Sequence, residues 1–404
     1  MPHPPVTRPP RLGPSPSPAI TAPAIALAIT LIATAPGLRA ATVPPKPALS
    51  PTPGIAAALT IDISKPANYA RPVLPLHYTG QALPVNTPGD NPVTDKGATL
   101  GQVLFWDKAL SVNNTVACAT CHQGPQGFGA ATPLSKGFLG QTGTRHAMRL
   151  GNVAYYAGQA MFWDKRAATL ELQATQPVQN SLEMGYDAAN GGLNALLVKM
   201  QARPYYPELF TAVYGDPAIT EARIQKALAQ FMRSMASAGS RWDAGYAQVF
   251  SATLPDKGLG RPVPGFTAQE NRGKDLFMTA GLMRGPACAA CHRPPTFALD
   301  RNAKSNGLDV NESTVFKAPS LKNIAQGQAM MHDGRFTTLE QVVAHYDHGI
   351  QPGPALDAKL INPQGRPVQL GLGPADQAAL VAFLKTLQDP AFKTDARFGD
   401  PFRH

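Results

Sequence analysis

The pentapeptide CATCH occupies Cys118–His122, and a second copy, CAACH, occupies Cys288–His292. The two copies contain all the cysteines of the 404-residue chain, which are Cys118, Cys121, Cys288 and Cys291. A C-x-x-C-H motif is typical of c-type haem attachment, because two thiols bond the haem vinyl groups and the next imidazole coordinates the iron. We therefore predict two covalent haems c, with His122 and His292 as iron ligands.

Two other uses of paired cysteines fit this chain less well. A zinc ribbon places its C-x-x-C pairs about 15–20 residues apart, whereas these pairs begin 170 residues apart. Exported proteins commonly join four cysteines as disulfides, yet a histidine directly follows each pair here. Haem attachment is the interpretation that accounts for both histidines.

The N-terminus predicts export. Arg8 and Arg11 precede an apolar run at 19–35, and small residues follow it, which is the order of a secretory signal peptide. An uncleaved membrane anchor is the alternative, but Pro23 interrupts the run, which is also shorter than a bilayer-spanning helix. We expect a signal peptide at 1–40 and a periplasmic location.

The charge balance argues against a nucleic-acid partner. The formal net charge is +10. Three arginines leave with the signal peptide and four haem propionates are added, so the mature protein carries about +3. The lysines and arginines do not cluster with aromatic residues, as a nucleic-acid surface requires.

Helical patterns dominate the chain outside the motifs. Thr220–Met235 has an apolar stripe of period 3.6, Thr267 and Glu270 form a capping box, and helices are also expected at Leu100–Leu110 and Pro374–Leu387. Strand-like alternation is sparse. The sequence therefore predicts a mainly α, loop-rich fold with two haem domains.

The expected domain boundaries follow composition. Proline accounts for 41 residues and is dense after the signal, which indicates an extended, loosely held N-terminal arm. A second stretch rich in proline and glycine separates the two motifs. In chain order we predict an arm at 41–85, a first haem domain at 86–254, a linker at 255–265 and a second haem domain at 266–404.

Several segments, in fixed order, resemble the bacterial di-haem cytochrome c peroxidase family, which includes the MauG-type enzymes. The similar region runs from about Leu100 to Leu387. The segments that carry it are LGQVLFWDKALSVNNTVACATCH at 100–122, FWDKRAATLELQATQPVQNSLEMG at 162–185, ENRGKDLF at 270–277, FKAPSLKNI at 316–324, MHDGRFTTLEQVV at 331–343 and LVAFLKTL at 380–387.

The resemblance implies a fold and three site residues. The fold would be two cytochrome c-like helical domains, the first peroxidatic and the second for electron transfer. Glu183 is similar to the family's distal acid, which takes a proton from hydrogen peroxide and returns it to the leaving oxygen. Gln173 resembles an amide that hydrogen-bonds the oxidant, and Trp163 resembles an aromatic relay between the haems.

The first haem site departs from the family pattern in two ways. Many relatives close the resting iron with a loop histidine, but the loop at 123–140 has none and Phe138 stands in its place. The first iron is therefore expected to keep an open position. His146 replaces an asparagine that often helps to bind calcium in relatives. Imidazole is a poor calcium ligand, so a calcium site is doubtful. Whether His146 ligates the haem stays open.

The second haem site resembles the MauG type. Aligning TLEQVVAHY places Tyr346 where many peroxidases have a ligating methionine. A phenolate ligand would favour ferric and higher-valent iron. Met330 and Met331 remain alternative ligands, and a plain core position remains an alternative role for Tyr346.

These features predict a periplasmic di-haem peroxidase that reduces hydrogen peroxide with electrons from a small cytochrome c or cupredoxin. One alternative is a MauG-like oxidase that modifies residues of a partner protein. A second is an electron-transfer cytochrome without catalysis. The oligomeric state stays open, with a homodimer as one alternative.

Overall fold

Short α-helices joined by long loops make up this computed structural model, which describes residues 53–79, 85–156, 160–279, 288–299, 302–326 and 329–404. The α-helices of these residues are α1 (Pro53–Ala58), α2 (Leu76–Thr79), α3 (Asp95–Trp106), α4 (Cys118–Cys121), α5 (Leu170–Ala174), α6 (Gln176–Gln179), α7 (Gly192–Gln201), α8 (Tyr205–Tyr214), α9 (Glu221–Ser234), α10 (Arg241–Val249), α11 (Ala268–Met278), α12 (Leu339–Ala344), α13 (Pro374–Lys385) and α14 (Pro390–Thr394). Two short strands, β1 (His292–Arg293) and β2 (Ala298–Leu299), pair antiparallel. The mainly α, loop-rich class is confirmed.

The two halves of the chain repeat one helix packing. Helix α3 packs on α9, and α11 packs on α13. Each pair meets at a glycine: a Cβ on Gly101 would collide with the carbonyl of Ala227, and one on Gly273 with that of Ala379. Both glycines begin a G-x-x-L-F sequence in the helix that precedes a haem motif. This shared glycine contact between helices supports descent of the two halves from one duplicated unit.

Two hydrophobic clusters correspond to these helix pairs. The first contains buried residues from Ile55 to Met235 and also Phe392 and Phe398. The second runs from Trp242 to Leu387. The end of the chain thus returns to the first cluster, while Trp242 on α10 packs in the second. The domain boundaries given above stay a prediction.

The expected helices are present, with one difference. Thr220 caps α9, and Thr267 with Glu270 forms the capping box of α11. The helix expected from Leu100 begins earlier, at Asp95, because the Thr94 side chain accepts from the Gly97 N–H. It also ends earlier, because Asp107 caps a separate 3-10 turn, Lys108–Leu110.

The described part of the N-terminal arm is not loosely held, so that expectation was wrong. Ile55, Leu59 and Tyr69 are buried in the first cluster, and the Thr60 N–H donates to the carbonyl of Pro401 at 2.8 Å. These apolar side chains bury enough surface to hold a proline-rich segment in place. The signal peptide expected at 1–40 lies outside the described residues.

Among the helices that are described, none combines the length and the apolar character needed to cross a bilayer.

Candidate haem sites

The first motif places its two thiols on one short helix. Cys118 and Cys121 lie three residues apart on α4, so their side chains share one face of the turn. The His122 N–H donates to the carbonyl of Cys118 at 2.9 Å, and Nδ1 of His122 lies 3.1 Å from the carbonyl oxygen of Phe128. A donating Nδ1–H leaves Nε2 free as a metal ligand.

The second motif repeats this arrangement of the histidine. Nδ1 of His292 lies 3.0 Å from the carbonyl oxygen of Pro319. Burial lowers the pKa of His292 to about 4 and also lowers the pKa of His122. Both imidazoles are therefore neutral at physiological pH, which is the form that binds iron.

The thiols of both motifs are partly buried. Desolvation raises the pKa of Cys118 and that of Cys288 to about 12, so both thiols are protonated at physiological pH.

A cavity lies beside the first motif and brings the expected residues together. Its lining includes both thiols and the histidine of the motif, together with the three residues assigned from the resemblance. These six residues are Cys118, Cys121, His122, Trp163, Gln173 and Glu183. Glu183 lies more than 60 residues after the motif, so its place in the lining depends on the tertiary fold.

Glu183 has the surroundings of a proton-transfer group. Nδ2 of Asn180 donates to its Oε1 at 3.2 Å. Desolvation raises the pKa of Glu183, and the positive charge of Arg166 opposes the rise. The carboxylate also raises the pKa of Cys118 and of Cys121, which indicates that it faces the haem attachment point.

Phe138 supports the turn that carries Glu183. Its N–H donates to the carbonyl of Glu183 at 2.9 Å, and its ring lies so close to Gly185 that a Cβ there would collide with it. Phe138, which stands where the resemblance implies a loop histidine in relatives, thus packs against the turn that carries the acid.

Gln173 and Trp163 contribute differently to the cavity. Gln173 lies on α5, which Thr169 caps, and its amide has no hydrogen bond to another described residue, so it is free to bind a ligand.

Trp163 is fixed at several points: its Nε1–H donates to the carbonyl of His146 at 2.7 Å, and its own carbonyl accepts from the Lys317 N–H at 2.7 Å. Its ring meets the His332 ring edge-on at 6.4 Å, so it contacts both halves of the chain.

His146 also lines the cavity. Its Nδ1 lies 3.0 Å from the carbonyl oxygen of Pro133, while its Nε2 is buried without a hydrogen-bond partner among the described residues. An imidazole nitrogen is a poor calcium ligand. The calcium expectation gains no support from these contacts.

Two cations of the lining were not identified from the sequence. Nε and Nη2 of Arg149 are buried without a hydrogen-bond partner, and Lys317 is 4% exposed, with its Nζ 4.2 Å from the centre of the Tyr156 ring. Burial lowers the pKa of Arg149 to about 10 and that of Lys317 to about 7. Neither has a carboxylate partner within the described part of the chain. Buried cations need anions, and the two propionates of a haem would supply them.

Tyr346 lies at the second motif. It belongs to a π-helical turn, His345–Gly349, that continues α12. Burial raises its pKa strongly, and Cys291 and Cys288 contribute electrostatically, so its hydroxyl faces the second pair of thiols.

Asn306, which sequence analysis missed, joins two of the candidate ligands of the second iron. Its Nδ2 donates to the Tyr346 hydroxyl at 3.3 Å and to Sδ of Met331 at 3.5 Å. Met330 is buried in the second hydrophobic cluster, against which Tyr346 also packs. Tyr346, Met330 and Met331 therefore all remain candidate ligands of the second iron.

Comparison with known proteins agrees with this arrangement. The sequence profile of the family described as di-haem cytochrome c peroxidase matches residues 95–249 and 267–399. The methylamine utilization protein MauG of Methylophilus methylotrophus is 29% identical over 77% of this chain and 88% of its own length. The cytochrome c551 peroxidase of Nitrosomonas europaea is 30% identical over 61% of this chain and 71% of its own length.

A solved structure extends the agreement to the fold. The crystal structure of a MauG-like protein associated with microbial copper homeostasis superposes with a TM-score of 0.63 and is 28% identical, covering 79% of this chain and 96% of that protein. The family profile matches both haem motifs together with the segments that form the cavity, so the resemblance drawn from the motifs is confirmed. The chain belongs to the di-haem cytochrome c peroxidase family.

Proposed function

We propose that this protein is a periplasmic di-haem peroxidase that reduces hydrogen peroxide to water, with electrons from a small cytochrome c or cupredoxin. The observation that carries the proposal is the cavity, which gathers Glu183, Gln173 and Trp163 beside the first haem motif. An electron-transfer cytochrome needs no acid in such a cavity.

Each haem residue has a proposed holding role. Cys118 and Cys121 would bond the first haem, with His122 as its iron ligand. Arg149 and Lys317 would form ion pairs with its propionates. Cys288 and Cys291 bond the second haem, with His292 as iron ligand. When bound, the first haem supplies an iron that binds peroxide and accepts its oxidising equivalents.

The protein's own groups move the protons. Glu183, as carboxylate, accepts a proton from hydrogen peroxide at Oε2, because Oε1 already accepts from Asn180. It then returns that proton to the leaving oxygen, so that water departs. The Gln173 amide orients the peroxide by hydrogen bonding. A raised pKa suits Glu183 to both steps, because an acid–base group works best when its pKa approaches the ambient pH.

Trp163 is the proposed route for electrons between the halves. One side lines the cavity, and the other meets His332 of the second half. The bond from its Nε1–H to the His146 carbonyl orients the indole, and the bond from the Lys317 N–H holds its backbone.

A MauG-like oxidase acting on a partner protein is the second candidate. Tyr346 at the second motif favours it, because a tyrosine ligand lets the second haem share oxidising equivalents rather than only pass electrons inward. The same cavity and the same acid serve either reaction, so the two candidates differ in the electron donor.

An open first iron makes one prediction for the untreated ferric protein. We expect its electron paramagnetic resonance spectrum to contain one high-spin and one low-spin haem. We also expect hydrogen peroxide to react without prior reduction, because no histidine occupies the loop at 123–140. Two low-spin signals that peroxide leaves unchanged would contradict the proposal. Turnover of peroxide with reduced cytochrome c would support the peroxidase, whereas oxidation of a co-purified protein would support the MauG-like oxidase.

Tyr346→Phe tests the ligand of the second iron. The change removes the phenol oxygen and keeps the ring, so the spectrum of the second haem should change. Its reduction potential should rise on the order of 0.1 V, within the range of about 0.8 V that axial ligands span. Met331→Leu is the matched variant. If it changes the spectrum and Tyr346→Phe does not, Tyr346 is a core residue and Met331 is the ligand.

A further inference from the structure

Three potential metal-ligating side chains of the second half lie close together. They are Asp309, Glu312 and His332, whose potential ligand atoms all lie within 4.8 Å of one another. Nε2 of His332 is 3.3 Å from Oε1 of Glu312. Glu312 and His332 are nearly enclosed, whereas the Asp309 side chain is 47% exposed, so solvent reaches one side of the cluster.

His332 independently indicates a missing partner. The residue is only 5% exposed, and neither ring nitrogen makes a hydrogen bond to another residue that the structure describes. Its ring is held instead by stacking on Phe316, with centroids 3.9 Å apart and planes within 8°, and by the edge of Trp163. A buried imidazole normally bonds through at least one nitrogen. Here packing alone orients it toward Glu312.

The charged groups around His332 favour binding of a cation. Three carboxylates, those of Glu312, Asp333 and Asp309, act on His332, and the guanidinium of Arg145 opposes them. A second guanidinium, that of Arg335, pairs with Asp309 and Asp333. The net charge of these groups is therefore negative.

Neighbouring groups also orient the two ligating carboxylates. The Ser305 hydroxyl donates to Oε2 of Glu312, which leaves Oε1 free. Arg335 binds Asp309 at 2.8 Å and 3.0 Å. Metal-ligating carboxylates are commonly held in this way by outer hydrogen bonds.

We propose that Asp309, Glu312 and His332 bind one divalent first-row transition-metal ion of the zinc or manganese class, with water completing its coordination. One imidazole and two carboxylates suit these ions, whereas calcium and magnesium take oxygen ligands. Two atoms bonded to the same tetrahedral zinc lie about 3.4 Å apart, close to the His332–Glu312 distance. Asp309, held by Arg335 at the solvent-facing side, supplies the third ligand.

The test uses the ferric holoprotein, whose covalent haems survive treatment with a chelator. After the chelator is removed, the protein is dialysed against Zn²⁺ alone, and bound metal is counted by mass spectrometry. We expect one zinc for every two irons. Glu312→Gln and Asp309→Asn, which keep side-chain shape, should each weaken binding by at least about 10-fold.

Asp164→Asn is the matched control, because this carboxylate is partly exposed and pairs only with Arg166 within the described structure. Zinc binding should not change in this variant. Unaltered haem spectra show that each variant is folded. If Glu312→Gln does not fold, Asp309→Asn at the solvent-facing side tests the proposal in its place. Absence of zinc from the wild-type protein overturns the proposal, and so does wild-type affinity in a folded variant of Asp309 or Glu312. Neither outcome depends on peroxide turnover.

Discussion

Glu183→Gln is expected to lower peroxide turnover by about 10²–10⁴-fold, the usual contribution of a positioned acid–base group. Glutamine keeps the size of the side chain and its hydrogen bond from Asn180, but it cannot carry the proton from one peroxide oxygen to the other. Both haem spectra should stay nearly unchanged, because Glu183 is not a proposed iron ligand. Steady-state kinetics with a reduced cytochrome c measures the effect.

The control for this variant is Glu340→Gln. Glu340 lies exposed on α12, 3.9 Å from Lys385, and its loss should leave turnover intact. If turnover of the Glu183 variant equals that of the wild-type protein, Glu183 has no part in proton transfer.

The pH profile gives the same residue a second signature. Burial raises the pKa of Glu183 above its ordinary value of 4.5. Since the first step needs the carboxylate, kcat/KM should increase as pH rises through that elevated pKa, and Glu183→Gln should remove this acidic limb. Arg166→Gln removes the charge that lowers the pKa, so the limb should move to higher pH.

The double variant Cys118→Ala/Cys121→Ala should lack one covalent haem and lose turnover at least as completely as Glu183→Gln. Without thiols the first haem cannot form thioethers. Arg149 and Lys317 would then lack propionate partners, so the melting temperature should also fall. Mass spectrometry of the denatured protein and haem staining after electrophoresis count the attached haems.

The matched variant is Cys288→Ala/Cys291→Ala. It should keep the first haem and its high-spin signal while losing electron supply from the second. Two covalent haems in the Cys118/Cys121 variant would show that these cysteines do not attach a haem.

The helices were predictable where short-range chemistry decides them. Capping by Thr220 and Thr267, and the apolar stripe of α9, involve residues three or four positions apart, and both capped helices form as expected. The proline-rich arm was misjudged because composition does not reveal that Ile55 and Tyr69 reach the first hydrophobic cluster. That contact joins residues separated by much of the chain.

The candidate haem sites likewise combine features that the sequence reveals with features that only the tertiary structure decides. The cysteines and histidines of both motifs are recognisable from the sequence alone, because covalent attachment and ligation require fixed spacing within five residues. Placing Glu183 in the cavity, leaving Arg149 and Lys317 without carboxylate partners, and joining Asn306 to Tyr346 are decided by the tertiary structure. So is the convergence of Asp309, Glu312 and His332. Each of these depends on long-range packing that brings distant segments within a few ångströms, and no local pattern encodes it.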